Sequence, residues 1–408
     1  MHIIIFAHFA GSPKHGMVYG HYYLAKEWVK LGHKVTIVTA SFVHTRFKQP
    51  EQTGRTTIEI IDGIRYVWLP TPSYNPKSSF GRIRNILLFT FRCHVSKLPF
   101  SKADLIICSS HHPFPIFAAR KYAKKFNSKL VFEVRDLWPL TLIELGSANR
   151  RNPFISLMQY AEDYAYKTAD RVISVLPKAK LYMETRGMSP EKFMFIPNGA
   201  NLREQSNKKP LPDLYNHQLR KLRNEGKFII GYVGKIGLSN ALHTFIEALA
   251  LCNNNKIVFT ILGSGAYLEE LINQATKLNI KENLVVFEPV SKDQVGSFLN
   301  YLDVAYIGLQ KKSIFRFGVS PTKLNDFMLA AKPVISTIDA PGDIIKESGA
   351  GITCSPENPI ALSKAIKDIM NLNKKQREQM GQNGYKWLHK NRDYQILAKK
   401  FLHSVVEN

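Results

Sequence analysis

Short β-branched runs alternate with amphipathic stretches from one end of this chain to the other, and that alternation is the pattern of parallel sheets covered by helices. In the first half the predicted strands are 2–7, 34–40, 105–108, 129–134, 171–175 and 193–196. In the second half they are 228–233, 256–262, 284–287, 304–307 and 334–336. Between the two sets, residues 203–227 are polar, contain Pro210 and Pro212, and show little apolar periodicity, so they read as a linker. At 408 residues the chain is too long for one ordinary core. Two α/β domains in tandem are expected, followed by closing helices. In the last of these Tyr394, Leu397, Ala398, Phe401 and Leu402 make a core stripe.

Composition narrows the partners. Net charge is +24, with +15 in residues 1–200 and +9 in residues 201–408. Such a surface suits nucleic acid, anionic lipid or a phosphorylated substrate. The cations are dispersed and carry no helix-turn-helix, zinc-finger or RNP-type aromatic pattern, so nucleic acid is not an expected partner. No apolar run is long enough to span a bilayer, and the first residues lack the basic lead of a signal peptide, which points to the cytoplasm. Cys93, Cys108, Cys252 and Cys354 have no metal-site or disulfide-framework spacing and read as packing residues.

Residues 79–100 differ from the rest. Phe80, Ile83, Ile86, Leu87, Phe89, Phe91 and Leu98 are interleaved with Arg82, Arg84, Arg92 and Lys97, without an acidic residue. That composition describes a helix lying in a headgroup layer. A helix packed on its own sheet, with snorkelling arginines, is the competing reading.

The segment from Arg316 to Ile335 reads R-F-G-V-S-P-T-K-L-N-D-F-M-L-A-A-K-P-V-I. Ser320 is a good N-cap and Pro321 suits a first helical position, with Leu324, Phe327, Met328 and Ala331 as the buried stripe. The free amides at this start, Thr322 included, make an anion site. Lys323 in the first turn opposes the helix dipole, so a negative group is expected opposite it. Asp326, one turn on, could accept from ribose hydroxyls. A diphosphate with its ribose would satisfy both residues.

This segment resembles the donor-binding motif of glycosyltransferase family 4, within the GT-B superfamily. More narrowly it is similar to bacterial O-antigen and capsule transferases of the N-acetylfucosaminyltransferase kind. The resemblance continues through R-D-L-W-P from Arg135, Glu162 and Asp163 before Ala169-Asp170, and Ile196-Pro-Asn-Gly199. Family enzymes carry Glu, seven residues, then Glu. The matching positions here are Gly318 and Asp326, so the first acid is absent and the second shortened. The loop G-Y-V-G-K-I-G from Gly231 follows a strand and lets backbone approach a phosphate. In the resemblance it is the phosphate loop, with Gly234 at its centre, Lys235 in place of the family's Arg and Asn240 in place of its Lys. Lys323 or Arg316 would supply the missing cation. Gly263 and Gly265 resemble the next nucleotide-facing turn, and Pro289 and Val290 the backbone that meets the base.

In the first domain, the glycine-rich loop after the first strand could admit the donor phosphate or the acceptor, and Gly11 and Gly16 are the acceptor candidates. His8, His15, His21, His111 and His112 cluster on loops after strands, and His111 or His112 is expected to touch the acceptor. Asp136 follows a strand's carboxyl end, and similarity places it beside the acceptor and the reacting sugar. Its alternative role is to cap a loop and pair with Arg135. No nucleophile elbow is present, so hydrolase chemistry is unsupported.

The resemblance implies two Rossmann-like doubly wound domains facing a cleft. Residues 1–203 would bind the acceptor and 228–390 a UDP-sugar, joined by a 204–227 linker, with the helix of 391–408 packing back on the first domain. It implies a retaining transfer to a polyprenyl-diphosphate-linked saccharide, at the inner face of the cell membrane, without metal or other cofactor. Asp136, Lys235 and Lys323 would act in catalysis. Two other classes remain open at this stage: a nucleotide-sugar epimerase of the same fold, and a non-catalytic nucleotide-sugar-binding partner.

Overall fold

The structure is a computed structural model that describes residues 1–76, 78–146, 148–203 and 208–406. It divides into two compact units, one of residues 1–198 with 394–408 and one of residues 199–393.

The strands of the first unit are apolar on both faces. Ile3, Ile4, Ile5 and Phe6 are each at most 1% exposed, as expected where helices cover both sides of a parallel sheet. In chain order the strands are β1 (His2–Phe6), β2 (Lys34–Ala40), β3 (Thr57–Ile61), β4 (Ile64–Leu69), β5 (Leu105–Ser110), β6 (Lys129–Val134), β7 (Arg171–Ser174) and β8 (Phe193–Phe195). They lie in the order β3-β4-β2-β1-β5-β6-β7-β8, parallel throughout except for β3 against β4. The closing helix Tyr394–Val406 belongs to this unit. Its Phe401 ring packs 5.2 Å from that of Trp28, whose Nε1–H donates to the Ala398 carbonyl at 3.0 Å. Glu407 and Asn408, at the end of the expected 391–408 helix, lie outside the described residues.

The second unit holds β9 (Phe228–Val233), β10 (Ile257–Leu262), β11 (Leu284–Phe287), β12 (Val304–Gly308), β13 (Val334–Thr337) and β14 (Gly351–Thr353), all parallel, in the order β11-β10-β9-β12-β13-β14. Apolar clusters cover both faces, one around Phe245, Phe259 and Tyr306 and one around Phe298, Phe327 and Met328.

Two readings need correction and a third is narrowed. The β3–β4 hairpin turns at Asp62-Gly63, both at positive φ, and was not among the predicted strands because its outward residues Ile58 and Ile60 break apolar alternation at an exposed edge. The polar linker contains a helix, Asp213–Asn224, held by burial of Leu219 with Leu211 in the second unit's core, while 204–207 lie outside the described residues. The basic segment is a helix over Ser79–Val95 that keeps Phe89 fully buried with Ile86 and Cys93. Its Arg82 donates to the Pro76 carbonyl at 2.7 Å, and Arg92 donates to that of Pro70, so these two cations brace the preceding loop. Phe80, Arg84, Leu87, Phe91 and Val95, spaced by three or four residues, make the exposed stripe. Among the described residues no helix is long and apolar enough to cross a membrane.

Candidate active site

At the carboxyl end of β9 the chain turns at Gly234, whose φ of +127° is open only to a residue without a side chain. The loop then lies against the turn after β10 with no room for side chains. A Cβ on Gly263 would stand 2.0 Å from the Gly234 carbonyl oxygen, and one on Gly265 would stand 2.0 Å from that of Ile236. Backbone bonds lock the pair, with Gly234 N–H donating to Leu262 at 3.0 Å and Ile236 N–H to Ser264 at 2.8 Å. These glycines are therefore required by loop packing before any ligand is considered.

Lys323 closes this loop. It stands in the first turn of the helix Thr322–Leu329, and its ammonium donates to the Tyr232 hydroxyl at 2.6 Å, approaches Asn240 Oδ1 at 3.5 Å and lies 4.2 Å from the Tyr232 ring centroid. The Tyr232 hydroxyl and the Asn240 amide in turn donate to the Lys235 carbonyl at 2.8 and 3.0 Å. Burial pushes Lys323 down to about 8 against the pull of Asp326. The structure thus brings Lys323 to the place where Asn240 offers no cation. The Lys235 side chain is exposed at the loop tip.

The helix starts one residue later than expected. Pro321 has ψ of 120°, so it occupies the cap position itself, where it has no side-chain acceptor to offer the first turn. Its amides, beginning at Thr322, are left to other acceptors. Asp326 is already engaged: Lys292, which the sequence reading missed, donates to its Oδ1. Asn325, also missed, is buried and donates to the Gly199 carbonyl at 2.9 Å. Gly318 has φ of +98° and ψ of 173°, a region essentially reserved for glycine, so no acid can stand there without rebuilding the turn. Arg316 is exposed, donates to the Ser313 carbonyl at 2.6 Å and lies over Phe317. Ser320 and Pro321 line a shallow hollow with Leu324, Ser336 and Asp343. Pro289 is exposed and Val290 half-buried after β11.

In the first unit, polar groups gather at the carboxyl ends of β1, β5 and β6, the edge where ligands bind in open α/β sheets. Glu133, 4% exposed, sits between His21 Nε2 at 2.9 Å and Arg135 at 3.2 Å. Burial raises its carboxyl, but His21 and Arg135 more than reverse this and hold it well below the usual carboxylate range. Arg135 also donates to Asn198 Oδ1 at 2.5 Å, which gives the Pro-Asn-Gly turn a structural partner. Ser109 lies 2.7 Å from the same His21 Nε2. Serine and acid share one ring nitrogen, so this is not a relay triad, in which each would take a different nitrogen.

Two observations on Asp136 pull apart. The surrounding protein pushes its carboxyl up to about 6 against Arg135, yet the residue is exposed. Exposure governs, because water that reaches a carboxylate solvates its charge, and on either view the group is ionised at neutral pH. Gly11 and Gly16 are buried in a loop folded on itself, where a Cβ on Gly11 would stand 1.9 Å from the Gly16 carbonyl oxygen. Arg46, buried, ties that loop down through the Ala10 carbonyl at 2.5 Å and the Ala40 carbonyl at 2.7 Å. His111 is half-buried and His112 buried. Among the described residues no group of three His, Cys, Asp or Glu side chains is placed to hold a metal. Glu162, pushed up to about 7 by burial, accepts from Tyr166, Tyr182 and Gln159, while Asp163 pairs with Arg186; both brace the helix Pro153–Thr168.

Residues 15–204 match the family model described as Glycosyltransferase Family 4, and residues 216–387 match Glycosyl transferases group 1. WbjE of Pseudomonas aeruginosa, provisionally named a glycosyltransferase, is 26% identical over 264 residues, 63% of this chain and 63% of that protein. The alignment thus spans a little under two thirds of WbjE. WcaI of Escherichia coli (strain K12), provisionally named a glycosyl transferase of colanic acid biosynthesis, is 24% identical over 361 residues, 85% of this chain and 87% of that one. Among solved structures, HepE of Anabaena in complex with UDP and glucose superposes with a TM-score of 0.69 at 14% identity, covering 100% of this chain and 99% of HepE. Sucrose-phosphate synthase from Thermosynechococcus elongatus superposes at 0.72 and 15% identity, covering 98% and 97%. Likeness at this identity carries the GT-B fold and nothing finer.

Proposed function

We propose that this chain, which belongs to family 4 of the GT-B glycosyltransferases, moves a sugar from a UDP-sugar onto a polyprenyl-diphosphate-linked saccharide during surface polysaccharide synthesis. The sugar is an N-acetylated hexosamine or deoxyhexosamine, and the transfer retains anomeric configuration. The observation that carries this reading is Lys323. A desolvated ammonium stands in the first turn of a helix whose cap residue, Pro321, offers it no side-chain acceptor, beside a glycine-lined loop, and a diphosphate answers both the charge and the helix-start amides. UDP bound to HepE, and the naming of WcaI for colanic acid synthesis, support the nucleotide and the pathway class.

In this reading the bond between the anomeric carbon and the diphosphate breaks while one forms to an acceptor hydroxyl, whose proton leaves with the departing diphosphate. Lys323, Lys235 and the Thr322 amide stabilise the charge growing on that leaving group, so the scheme calls on no metal. Asp326 offers its second carboxylate oxygen to ribose while Lys292 holds the first. Asp136 stands with the acceptor.

A screen of UDP-sugars by thermal shift tests the reading, because a ligand that binds only the folded state raises apparent stability by RT ln(1 + [L]/Kd). UDP and at least one UDP-sugar should raise the melting temperature; no response to any uridine nucleotide would contradict the assignment. Asp326→Asn should weaken UDP binding about tenfold or more while leaving the melting temperature of the free protein nearly unchanged, since a charge-assisted bond contributes roughly 1.5 to 3 kcal/mol. An unaltered UDP affinity would remove Asp326 from the site.

The acceptor's lipid brings the membrane into the proposal. On Ser79–Val95 the exposed Phe80 and Phe91, 77% and 60% accessible, present apolar surface beside Arg84. Burying each ring contributes up to about 1.5 to 3 kcal/mol, and each cation up to about 1 kcal/mol near an anionic surface. Phe80→Ser with Phe91→Ser should abolish sedimentation with anionic vesicles, and Arg84→Gln should weaken it at low salt only. Vesicle binding unchanged in the double variant would make the helix an ordinary packed one.

A further inference from the structure

Helix Ser79–Val95 sends one polar side chain into the core. Asn85 is fully buried, and its amide group is oriented by its own donors: Nδ2 donates to the Pro72 carbonyl at 2.8 Å and to the Phe42 carbonyl at 3.2 Å. The oxygen is therefore the atom that meets His8 Nε2, 2.7 Å away. An oxygen only accepts, so His8 must carry a proton on Nε2. His8 is 2% exposed and stacks on Phe89 at 4.6 Å; burial first, then His112, hold it well below the usual imidazole range. It is neutral, and its Nδ1 is a bare lone pair.

That lone pair lies 2.8 Å from His112 Nε2. His112 must in turn donate from Nε2. Burial pushes His112 down to about 3, so it too is neutral and its Nδ1 is bare. This Nδ1 is buried and has no hydrogen-bond partner among the described residues. A buried acceptor without a donor is costly, and a donor from a ligand or water would relieve that cost. His112 follows the carboxyl end of β5, where the sheet offers its ligand edge.

We propose that Asn85 is a positioning residue, which through His8 fixes the tautomer of His112 so that a bare Nδ1 accepts a hydrogen bond from a hydroxyl of the saccharide acceptor. This rests on the transferase reading for the identity of the ligand; the tautomer chain itself does not. One hydrogen-bonded chain then ties the helix that carries the exposed apolar stripe to the ligand edge of β5.

The test uses the full-length protein. Nitrogen-15 NMR of histidine-labelled wild type, assigned by difference with His112→Gln, should show both His8 and His112 protonated on Nε2 only. In Asn85→Asp the carboxylate favours an imidazolium at His8, which would donate from Nδ1 and drive the His112 proton to its own Nδ1. The acceptor KM should then rise about three- to tenfold, the range for one neutral hydrogen bond, with the donor KM within about twofold. Asn85→Ser buries no charge and serves if the aspartate variant does not fold; there the His112 tautomers should mix and the acceptor KM rise by a smaller factor. A wild-type spectrum with the His112 proton on Nδ1 would overturn the chain. A flipped or mixed tautomer with an unchanged acceptor KM would overturn the positioning role. A wild type that transfers no sugar to any lipid-linked acceptor would overturn the substrate role of His112 and the transferase reading together, leaving the tautomer result standing alone.

Discussion

Lys323→Ala is expected to lower kcat by about 10²- to 10³-fold, the usual effect of removing one preorganised group that meets charge developing in a transition state. The side chain is fixed in advance by the Tyr232 hydroxyl at 2.6 Å and by Asn240, so little reorganisation is left for the reaction step. Stability should move much less. The variant loses a cation–π contact of about 1 kcal/mol but also loses the cost of a desolvated ammonium. The same residue fixes a pH dependence. Its folded value, about 8, lies below the ordinary 10.5, so burial disfavours the charged form and the free protein gains stability as pH rises between those two values. Activity should run the other way, because in the proposed reaction the ammonium stabilises the leaving group. The profile of kcat/KM for the donor, which reports the free enzyme, should fall above about pH 8. Near-normal turnover in Lys323→Ala would place the diphosphate elsewhere.

The largest loss of stability is expected from Glu133→Ala. The carboxylate is buried between His21 and Arg135, and removing it leaves the Arg135 guanidinium, among the described residues, with a neutral amide, Asn198, as side-chain partner. Breaking a buried pair in this way costs about 3 to 5 kcal/mol. The midpoint of denaturant unfolding should fall without a change in slope. Because the folded carboxyl is held below its unfolded value, its contribution is fully present above about pH 4.5 and is lost as pH falls below that. The gap between wild type and variant should therefore close in acid. A variant within about 1 kcal/mol of wild type at neutral pH would mean that Arg135 finds another partner.

Much of the fold was legible because buried parallel strands write themselves as apolar runs: β1, β2, β6 and β9 follow directly from their isoleucines, valines and leucines. The β3–β4 hairpin was missed although Asp62-Gly63 is a strong turn signal, because the edge strand exposes Ile58 and Ile60 and hides Glu59 against Trp68. In the candidate site, Lys323 was legible from an opposed helix dipole, a rule of local chemistry. Lys292 was not, since its meeting with Asp326 joins residues 34 apart that no local spacing relates. Tyr232 read only as a strand residue; its hydroxyl becomes polar hardware because the chain turns back at Gly234. Phe89 and Phe91 look alike in sequence, and only the helix phase puts one in the core and the other in solvent.

The claim of sugar transfer is tested most directly by measuring free UDP released from UDP-sugars by the purified protein, with and without polyprenyl-diphosphate-linked saccharide. UDP should be released from one UDP-sugar when the lipid-linked acceptor is added, with an equal amount of sugar appearing on the lipid, and little should be released in its absence. A donor sugar epimerised without acceptor, or UDP-sugar bound tightly but never turned over, would contradict that claim.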